Sequence, residues 1–312
     1  MRYRDRLPQL DGGLFMTDGG IETTLIFEAG FELPEFAAVD LLRSENGTEA
    51  LRSYYCQYAE LAAEFGVGFV LESPTWRASP AWATRLGYSD AELDQLNRAA
   101  IGLMEEIRGR YEGLQSPFVI SGCIGPQGDG YAPENILSAD DAADYHRTQI
   151  ATFAGTSADM VTAITMTYAA EAVGIVRAAS KEGLPAAISF TVETDGRLPS
   201  GQPLGEAIDQ VDEETQQAAA YFMINCAHPT HFEHILKPDS QWTARVRGVR
   251  ANASTKSHTE LDEATTLDAG DPEDLARCHG RLRSSLPNLN VVGGCCGTDH
   301  RHVAAICRTL LN

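Results

Sequence analysis

Three cysteines lie at the ends of two apolar segments in the second half of the chain. Cys295 and Cys296 are adjacent in the stretch VVGGCCGTDH, and Cys226 ends the earlier segment MINC. Adjacent cysteines cannot easily reach the geometry of a relaxed disulfide with each other. The pair therefore consists either of buried apolar residues or of ligands that bind something together with a third group.

These cysteine-bearing segments belong to a pattern of short apolar runs that alternate with longer helical ones. Apolar runs bounded by turn residues are typical of strands buried on both faces of a parallel sheet. Eight strand–helix repeats without a linker predict one closed (β/α)8 TIM barrel, a single domain over 1–312 with an N-terminal extension over 1–13. An open, doubly wound sheet is the alternative. We predict strands over residues 14–18, 67–73, 117–122, 159–166, 186–192, 221–226, 245–252 and 290–294.

Helix boundaries are indicated by capping residues. Ser89 and Glu92 have the spacing of a capping box, in which each side chain satisfies the other's backbone N–H. Glycines end two of the helical stretches, as expected for residues that adopt left-handed backbone easily. We predict helices over residues 53–66, 89–113, 138–155 and 271–286.

In a barrel of this kind, the loops at the carboxyl ends of the strands build the active site. Cys226 ends the sixth predicted strand and Cys295–Cys296 the eighth, so the three thiols should converge on one rim. Three thiolates aimed at one point repel each other unless a cation lies among them, and thiolates favour zinc. Three protein ligands with an open fourth position are typical of catalytic zinc. Buried, inert cysteines are the alternative. Three glycines let the backbone turn sharply here: Gly293, Gly294 and Gly297.

Other sulfur and imidazole side chains are predicted to lie outside this site. Cys123 ends the third strand, and three more cysteines lie within predicted helices and should pack there: Cys56, Cys278 and Cys307. Three histidines follow Cys226 and are expected on a short surface helix over 229–236: His228, His231 and His234.

The composition disfavours several classes of partner. The chain has 312 residues, is 43% hydrophobic and carries a formal net charge of −20, which opposes binding to nucleic acid or anionic membranes. No segment approaches the ~20 consecutive apolar residues of a membrane span, and the charged N-terminus lacks the apolar stretch of a secretory signal. We expect a cytoplasmic protein with no nucleic-acid or membrane partner; homo-oligomer formation stays open. In a reducing compartment, clustered thiols indicate metal binding or catalysis.

Three motifs together resemble those of the zinc-dependent homocysteine S-methyltransferase family. They are GGCCGT near the C-terminus, INCAHP at the sixth strand and TDGGIETTL near the N-terminus, and the resemblance runs from about Met16 to the C-terminus. It implies a (β/α)8 barrel in which Cys226, Cys295 and Cys296 bind Zn²⁺.

The resemblance also implies contacts with the substrate. Asp18, with the adjacent Gly19, would hold the amino-acid end of homocysteine. Glu72, in LESPTW, would lie at the rim, and Asn225 would contact the substrate beside the ligand Cys226.

The sequence departs from the family pattern at the end of the fourth strand. Members usually have a glutamate there that contacts the homocysteine amine, whereas this chain has Ile164 or Thr165 in TAITMTYAAEA. Glu193, after the fifth strand, or Glu22, in the first motif, could supply the missing carboxylate. The alternative is that both are ordinary surface acids.

The expected reaction is transfer of a methyl group from an activated donor to the thiol of homocysteine, giving methionine. Zinc coordination deprotonates a thiol and keeps it nucleophilic. The chain ends at Asn312, immediately after a final helix that follows the eighth predicted strand, so we expect no attached corrinoid domain and hence an onium donor. Trp76, Trp82 and Tyr131 could form a cation–π surface for that donor, or could simply pack in loops.

Two other functions fit the same residues. One is a related zinc barrel that methylates a different thiol or a selenol. The other is a barrel that has lost catalysis and only binds zinc or a thiol.

Overall fold

The computed structural model describes residues 2–113, 116–133 and 135–312 of the chain. Eight parallel strands close into a barrel in sequence order, with β1 paired to both β2 and β8. This closure confirms the predicted single-domain TIM barrel and excludes the open sheet. The strands are β1 (Phe15–Met16), β2 (Gly68–Glu72), β3 (Phe118–Ile124), β4 (Met160–Met166), β5 (Ala186–Phe190), β6 (Ala219–Asn225), β7 (Val246–Ala251) and β8 (Val291–Gly294).

Helices surround the barrel and connect successive strands. The crossover between β6 and β7 has only short helical turns, so the predicted strand–helix alternation is incomplete there. None of the helices in the described part of the chain combines the length and apolar character needed to cross a membrane. The α-helices are α1 (Ile21–Thr23), α2 (Glu45–Phe65), α3 (Pro80–Leu86), α4 (Asp90–Tyr111), α5 (Ala139–Ala154), α6 (Ala169–Lys181), α7 (Leu204–Thr215), α8 (Gln241–Arg245), α9 (His258–Asp262), α10 (Pro272–Leu282) and α11 (His300–Leu311).

The capping residues explain where the long helices begin. Ser89 and Glu92 form the predicted capping box of α4, and Gly66 ends α2 in the left-handed conformation. The predicted start of α2 was wrong, because the helix begins at Glu45 rather than at residue 53. The Ser44 side chain accepts a hydrogen bond from the N–H of Gly47 and caps the helix there.

The N-terminal extension folds against the amino end of the barrel, opposite the rim that carries the cysteines. Leu7 is buried with residues from the inside of the strands, among them Phe15, Met160 and Tyr221. The Gln9 amide donates to the hydroxyl of Tyr221, and its backbone oxygen accepts from Asn290. Residues 2–13 therefore close the barrel floor and leave the opposite end for a site.

A buried carboxylate joins this extension to the barrel. Asp159 is fully buried, and it accepts hydrogen bonds from the N–H groups of Arg2 (2.8 Å), Tyr3 (2.9 Å) and Ile120 (3.0 Å). Its Oδ2 also pairs with the guanidinium of Arg108 at 2.6 Å. These bonds satisfy a charge that would otherwise be costly to bury.

We expect Asp159→Ala to lower the free energy of unfolding by about 3–5 kcal/mol, because it leaves the Arg108 charge buried without its partner. Urea unfolding followed by circular dichroism measures the loss. The control is Asp140→Ala, which removes a side chain that is 92% exposed and should change stability by about 0.5 kcal/mol or less. Equal losses in the two variants would contradict this role of Asp159.

Candidate metal centre and substrate cavities

A cavity of about 60 Å³ lies at the carboxyl end of the barrel, and we call it the inner cavity. Its wall combines all three cysteines of the predicted site with charged groups and aromatic rings. The charged lining residues are Asp18, Glu22, Glu72 and Arg250, and the aromatic ones are Phe36, Tyr55, Trp76 and Tyr131. This position matches the rim at which active sites of barrel enzymes form.

The three predicted cysteine ligands come together at this rim. The sulfurs of Cys226, Cys295 and Cys296 all lie within 4.8 Å of one another, and they form the one group of potential metal ligands found among the described residues. The sulfurs of Cys226 and Cys295 are in direct contact, as in a disulfide, with their Cα atoms 5.4 Å apart. Metal binding requires free thiolates, so this pair must be reduced before the cluster can hold an ion.

Backbone geometry aims the sulfurs at one point. Cys226 follows β6 with a φ of +53°, a left-handed conformation that is uncommon for a residue with a side chain. Of the three predicted glycines, Gly297 adopts a left-handed φ, +79°. Gly293 and Gly294 lie within β8 instead, where a Cβ atom would collide with the side chains of Thr17 and Thr298. Their role is close packing rather than turning.

Neighbouring side chains fix the position of Cys226. Its backbone oxygen accepts hydrogen bonds from the amide of Asn252 at 3.0 Å and from Nε2 of His258 at 2.6 Å. The hydroxyl of Tyr131 donates to its sulfur at 3.3 Å, and the Tyr131 ring lies 4.2 Å from that of His258. These contacts fix the position of Cys226 through both its backbone oxygen and its sulfur.

The charged wall of the inner cavity is organised by Arg250. Its guanidinium donates to Asp18 Oδ1 at 2.7 Å, to Glu72 and to the backbone oxygen of Gly294 at 3.0 Å. Burial alone would lower the pKa of Arg250, but the two carboxylates raise it above its ordinary value. Burial also raises the pKa of Glu72 to about 7, against the opposing effect of Arg250.

The predicted substrate residues divide into two groups. Asp18, Gly19, Glu22 and Glu72 line the inner cavity. Asn225 and Glu193 are not among its lining residues.

Asn225 uses its amide inside the protein. Its Oδ1 accepts from Thr165 N (2.9 Å) and from the Ser189 hydroxyl (2.6 Å), while its Nδ2 donates to Thr165 Oγ1. Glu193 pairs with Nδ1 of His258 at 3.2 Å. A direct contact of either residue with substrate stays a prediction.

The aromatic residues predicted to face a donor also differ in position. Trp76 and Tyr131 line the inner cavity and a larger cavity of about 370 Å³ next to it, which we call the outer cavity. Trp82 is buried, and its ring is covered by the guanidinium of Arg77, 4.0 Å from the ring centroid. Its indole N–H donates to the backbone oxygen of Pro126. Trp82 lies on α3 and therefore packs inside the protein rather than facing a donor, in contrast to the loop position expected.

The remaining cysteines lie largely as predicted. Cys123 is buried and lines the inner cavity, but it does not belong to the sulfur cluster. Three others lie in helices: Cys56 in α2, Cys278 in α10 and Cys307 in α11.

The prediction for the histidines after Cys226 was partly wrong. Instead of one surface helix over 229–236, the chain forms two short 3₁₀ turns, and His228 and His231 are buried. Burial lowers the pKa of His228 to about 4. His234 is exposed, as expected.

Sequence reasoning missed Arg250, Asn252 and His258. Arg250 carried a weak signal, because a charged residue on a barrel strand is rarely buried without a partner, but Arg247 on the same strand gave the same signal. Asn252 follows β7 and so lies at the carboxyl-end rim, where functional residues gather. His258 gave no comparable signal, since it meets Cys226 across 32 positions of sequence through a loop.

Comparison with known proteins agrees with this geometry. A family model described as homocysteine S-methyltransferase matches residues 15–310, and the chain therefore belongs to that family. No curated protein matches the sequence significantly.

Two crystal structures of the homocysteine methyltransferase MmuM from Escherichia coli have a similar fold. The oxidized form superposes with a TM-score of 0.76 at 18% identity, over 95% of this chain and 96% of that one. The metallated form gives a TM-score of 0.73, also at 18% identity, over 96% and 98% of the two chains. At this identity the likeness establishes the shared barrel, and the three sulfurs here are independently placed to bind a metal.

We expect His258→Ala to weaken metal binding at the sulfur cluster about 10- to 100-fold, because it removes a hydrogen bond that orients Cys226. Competition with a chromophoric chelator measures the affinity of the reduced protein. His234→Ala is the matched control, since that imidazole is exposed and lies outside the cluster. Unchanged affinity in the His258 variant would show that the contact does not position the ligand.

Proposed function

We propose that this protein is a zinc-dependent methyltransferase that moves a methyl group from an onium donor to the thiol of homocysteine, giving methionine. The observation that carries the proposal is the convergence of Cys226, Cys295 and Cys296 to within 4.8 Å at the rim of the barrel. Membership of the homocysteine S-methyltransferase family supports the same reaction.

The sulfur cluster fits a zinc ion in number, spacing and exposure. Zinc–sulfur bonds of about 2.3 Å in a tetrahedral site separate neighbouring sulfurs by about 3.8 Å, which is inside the spread of this cluster. Cys295 and Cys296 are only half-buried and face the inner cavity, so a fourth ligand can approach from that side. This is the pattern of a catalytic site rather than a closed structural one.

The acceptor would bind in the inner cavity with its sulfur toward the cysteines. When bound, zinc supplies deprotonation of the acceptor thiol at neutral pH, because a coordinated thiol loses its proton. The chain itself supplies the surroundings: the carboxylates of Asp18, Glu22 and Glu72 lie in the same wall and give it a negative charge suited to an ammonium group.

The donor would bind in the outer cavity. That cavity shares Phe36, Trp76, Tyr131 and Cys296 with the inner one, so ligands in the two cavities would meet beside the sulfur cluster. Its wall joins aromatic rings to three aspartates and one arginine, Arg77, which leaves a net negative charge. Rings and negative charge together attract an organic cation by cation–π and charge interactions. The aspartates are Asp129, Asp262 and Asp268.

One structural feature is compatible with an acceptor other than homocysteine. Ile164 and Thr165 line the inner cavity where relatives are expected to have a carboxylate, so a different thiol or a selenol is the alternative substrate. A barrel that binds zinc and thiol without methyl transfer is the non-catalytic alternative.

We expect about one zinc per chain in protein purified under reducing conditions. Cys295→Ala should lose tight binding, because two sulfurs cannot complete the site. Metal analysis of the dialysed proteins is the measurement. Cys278→Ala and Cys307→Ala are controls that should retain zinc, since both thiols are buried in helices outside the cluster. Full zinc occupancy in the Cys295 variant would contradict the ligand assignment.

Given homocysteine and either S-methylmethionine or betaine, the zinc-loaded protein should form methionine without added cobalamin. Mass spectrometry of the products measures the reaction, with chelator-treated protein as the inactive control. Turnover confined to another thiol or a selenol would favour the first alternative. Thiol binding without turnover from any donor would favour the non-catalytic one.

A further inference from the structure

The three carboxylates of the inner cavity differ in their partners within the protein. Asp18 uses both oxygens, Oδ1 toward Arg250 and Oδ2 toward the Tyr54 hydroxyl at 3.0 Å. Glu72 pairs with Arg250 as well. Glu22 lines the same cavity and forms no ion pair within the described part of the chain.

The three carboxylates also differ in how accessible they are to a ligand in the inner cavity. Asp18 and Glu72 are each 3% exposed, and the second oxygen of Glu72, Oε1, is sealed inside the protein without a hydrogen-bond partner. Glu22 is partly exposed and lies on the short helix α1, directly after the Gly19–Gly20 turn. A ligand entering the cavity can therefore reach the Glu22 carboxylate without breaking an ion pair.

The charges on the wall of the inner cavity also favour Glu22 as the carboxylate that binds a cation. With all three carboxylates ionised, Asp18, Glu22 and Glu72 contribute −3 and Arg250 contributes +1, which leaves −2 on the cavity wall. Burial raises the pKa of Glu22 and of Glu72 to about 7, and an ammonium group bound against Glu22 would favour its ionised form. A cation placed against Asp18 or Glu72 would lie beside the fixed guanidinium and be repelled by it. Against Glu22, the cation meets a carboxylate that forms no ion pair in the described part of the chain, since Arg250 and Arg77 act on it through their charge alone, without a hydrogen bond.

We propose that Glu22 receives the ammonium group of the acceptor, and that Arg250 is a positioning residue that holds Asp18 and Glu72 away from it. The inference rests on the proposed function, because it assumes an amino-acid thiol in the inner cavity. Ile164 and Thr165, which line the same cavity, bring no carboxylate to it.

The test compares homocysteine with 4-mercaptobutanoate, which has the same length and carboxylate but no amino group. Calorimetric titration of the zinc-loaded protein measures both affinities. In Glu22→Gln, homocysteine should bind about 10- to 100-fold more weakly, because a charge-assisted contact is lost. The affinity for 4-mercaptobutanoate should change less than about twofold by the same reasoning. Glu28→Gln, an exposed position in the next helical turn, is the matched control and should change neither.

Three further variants test the role assigned to Arg250. Asp18→Asn should weaken both thiols equally, since Asp18 braces the wall without touching the amine. In Arg250→Gln, Asp18 is free to accept the ammonium, so adding Glu22→Gln should no longer abolish the preference for homocysteine. If circular dichroism shows that Arg250→Gln does not fold, the binding of the two thiols to Asp18→Asn tests the role of Arg250 instead.

The outcomes are distinct. Equal losses for both thiols in Glu22→Gln, or a loss confined to homocysteine in Asp18→Asn, would overturn the inference. So would a wild-type protein that binds the two thiols equally. Selective, Glu22-dependent binding of homocysteine without methyl transfer from any donor would refute the proposed function and leave the inference standing.

Discussion

The rim of this barrel depends on one buried guanidinium. Arg250, on β7, bonds to Asp18 after β1, to Glu72 at the end of β2 and to the backbone of Gly294 at the end of β8. A buried ion pair gives little net stability, but loss of one partner is severe because the other charge stays buried alone. Gly294 immediately precedes Cys295, so the position of the sulfur cluster is tied to the same network.

This arrangement explains which parts of the site could be predicted from sequence. The convergence of Cys226 with Cys295 and Cys296 follows from topology, because parallel strands of a closed barrel all end at one rim. The identity of the free carboxylate does not follow from topology. It depends on which acids Arg250 reaches, and those contacts span 232 and 178 positions of sequence.

In the rest of the fold, too, the sequence predicted features that depend on nearby residues and missed those that depend on packing. The capping box at Ser89 and Glu92 located α4, since both partners lie within one turn. The start of α2 was missed, because Ser44 caps a first turn containing Gly47, a residue of low helix propensity. Gly47 fits there because a Cβ atom would press against the backbone of Leu41, a packing constraint that sequence periodicity does not reveal.

Two residues at the rim have a left-handed backbone: Thr165, within β4, and Cys226, after β6, with φ values of +64° and +53°. Asn225 bonds directly to Thr165, and a large apolar core, built around the whole barrel, surrounds these strands. Such unfavourable conformations persist only where the surrounding structure over-determines them. In a small zinc domain the ion supplies the folding free energy, whereas here the barrel core supplies it. A metal released from this cluster would therefore leave a folded chain in which the backbone of the cysteines is preorganised, so that the ion could bind again as long as the thiols stay reduced.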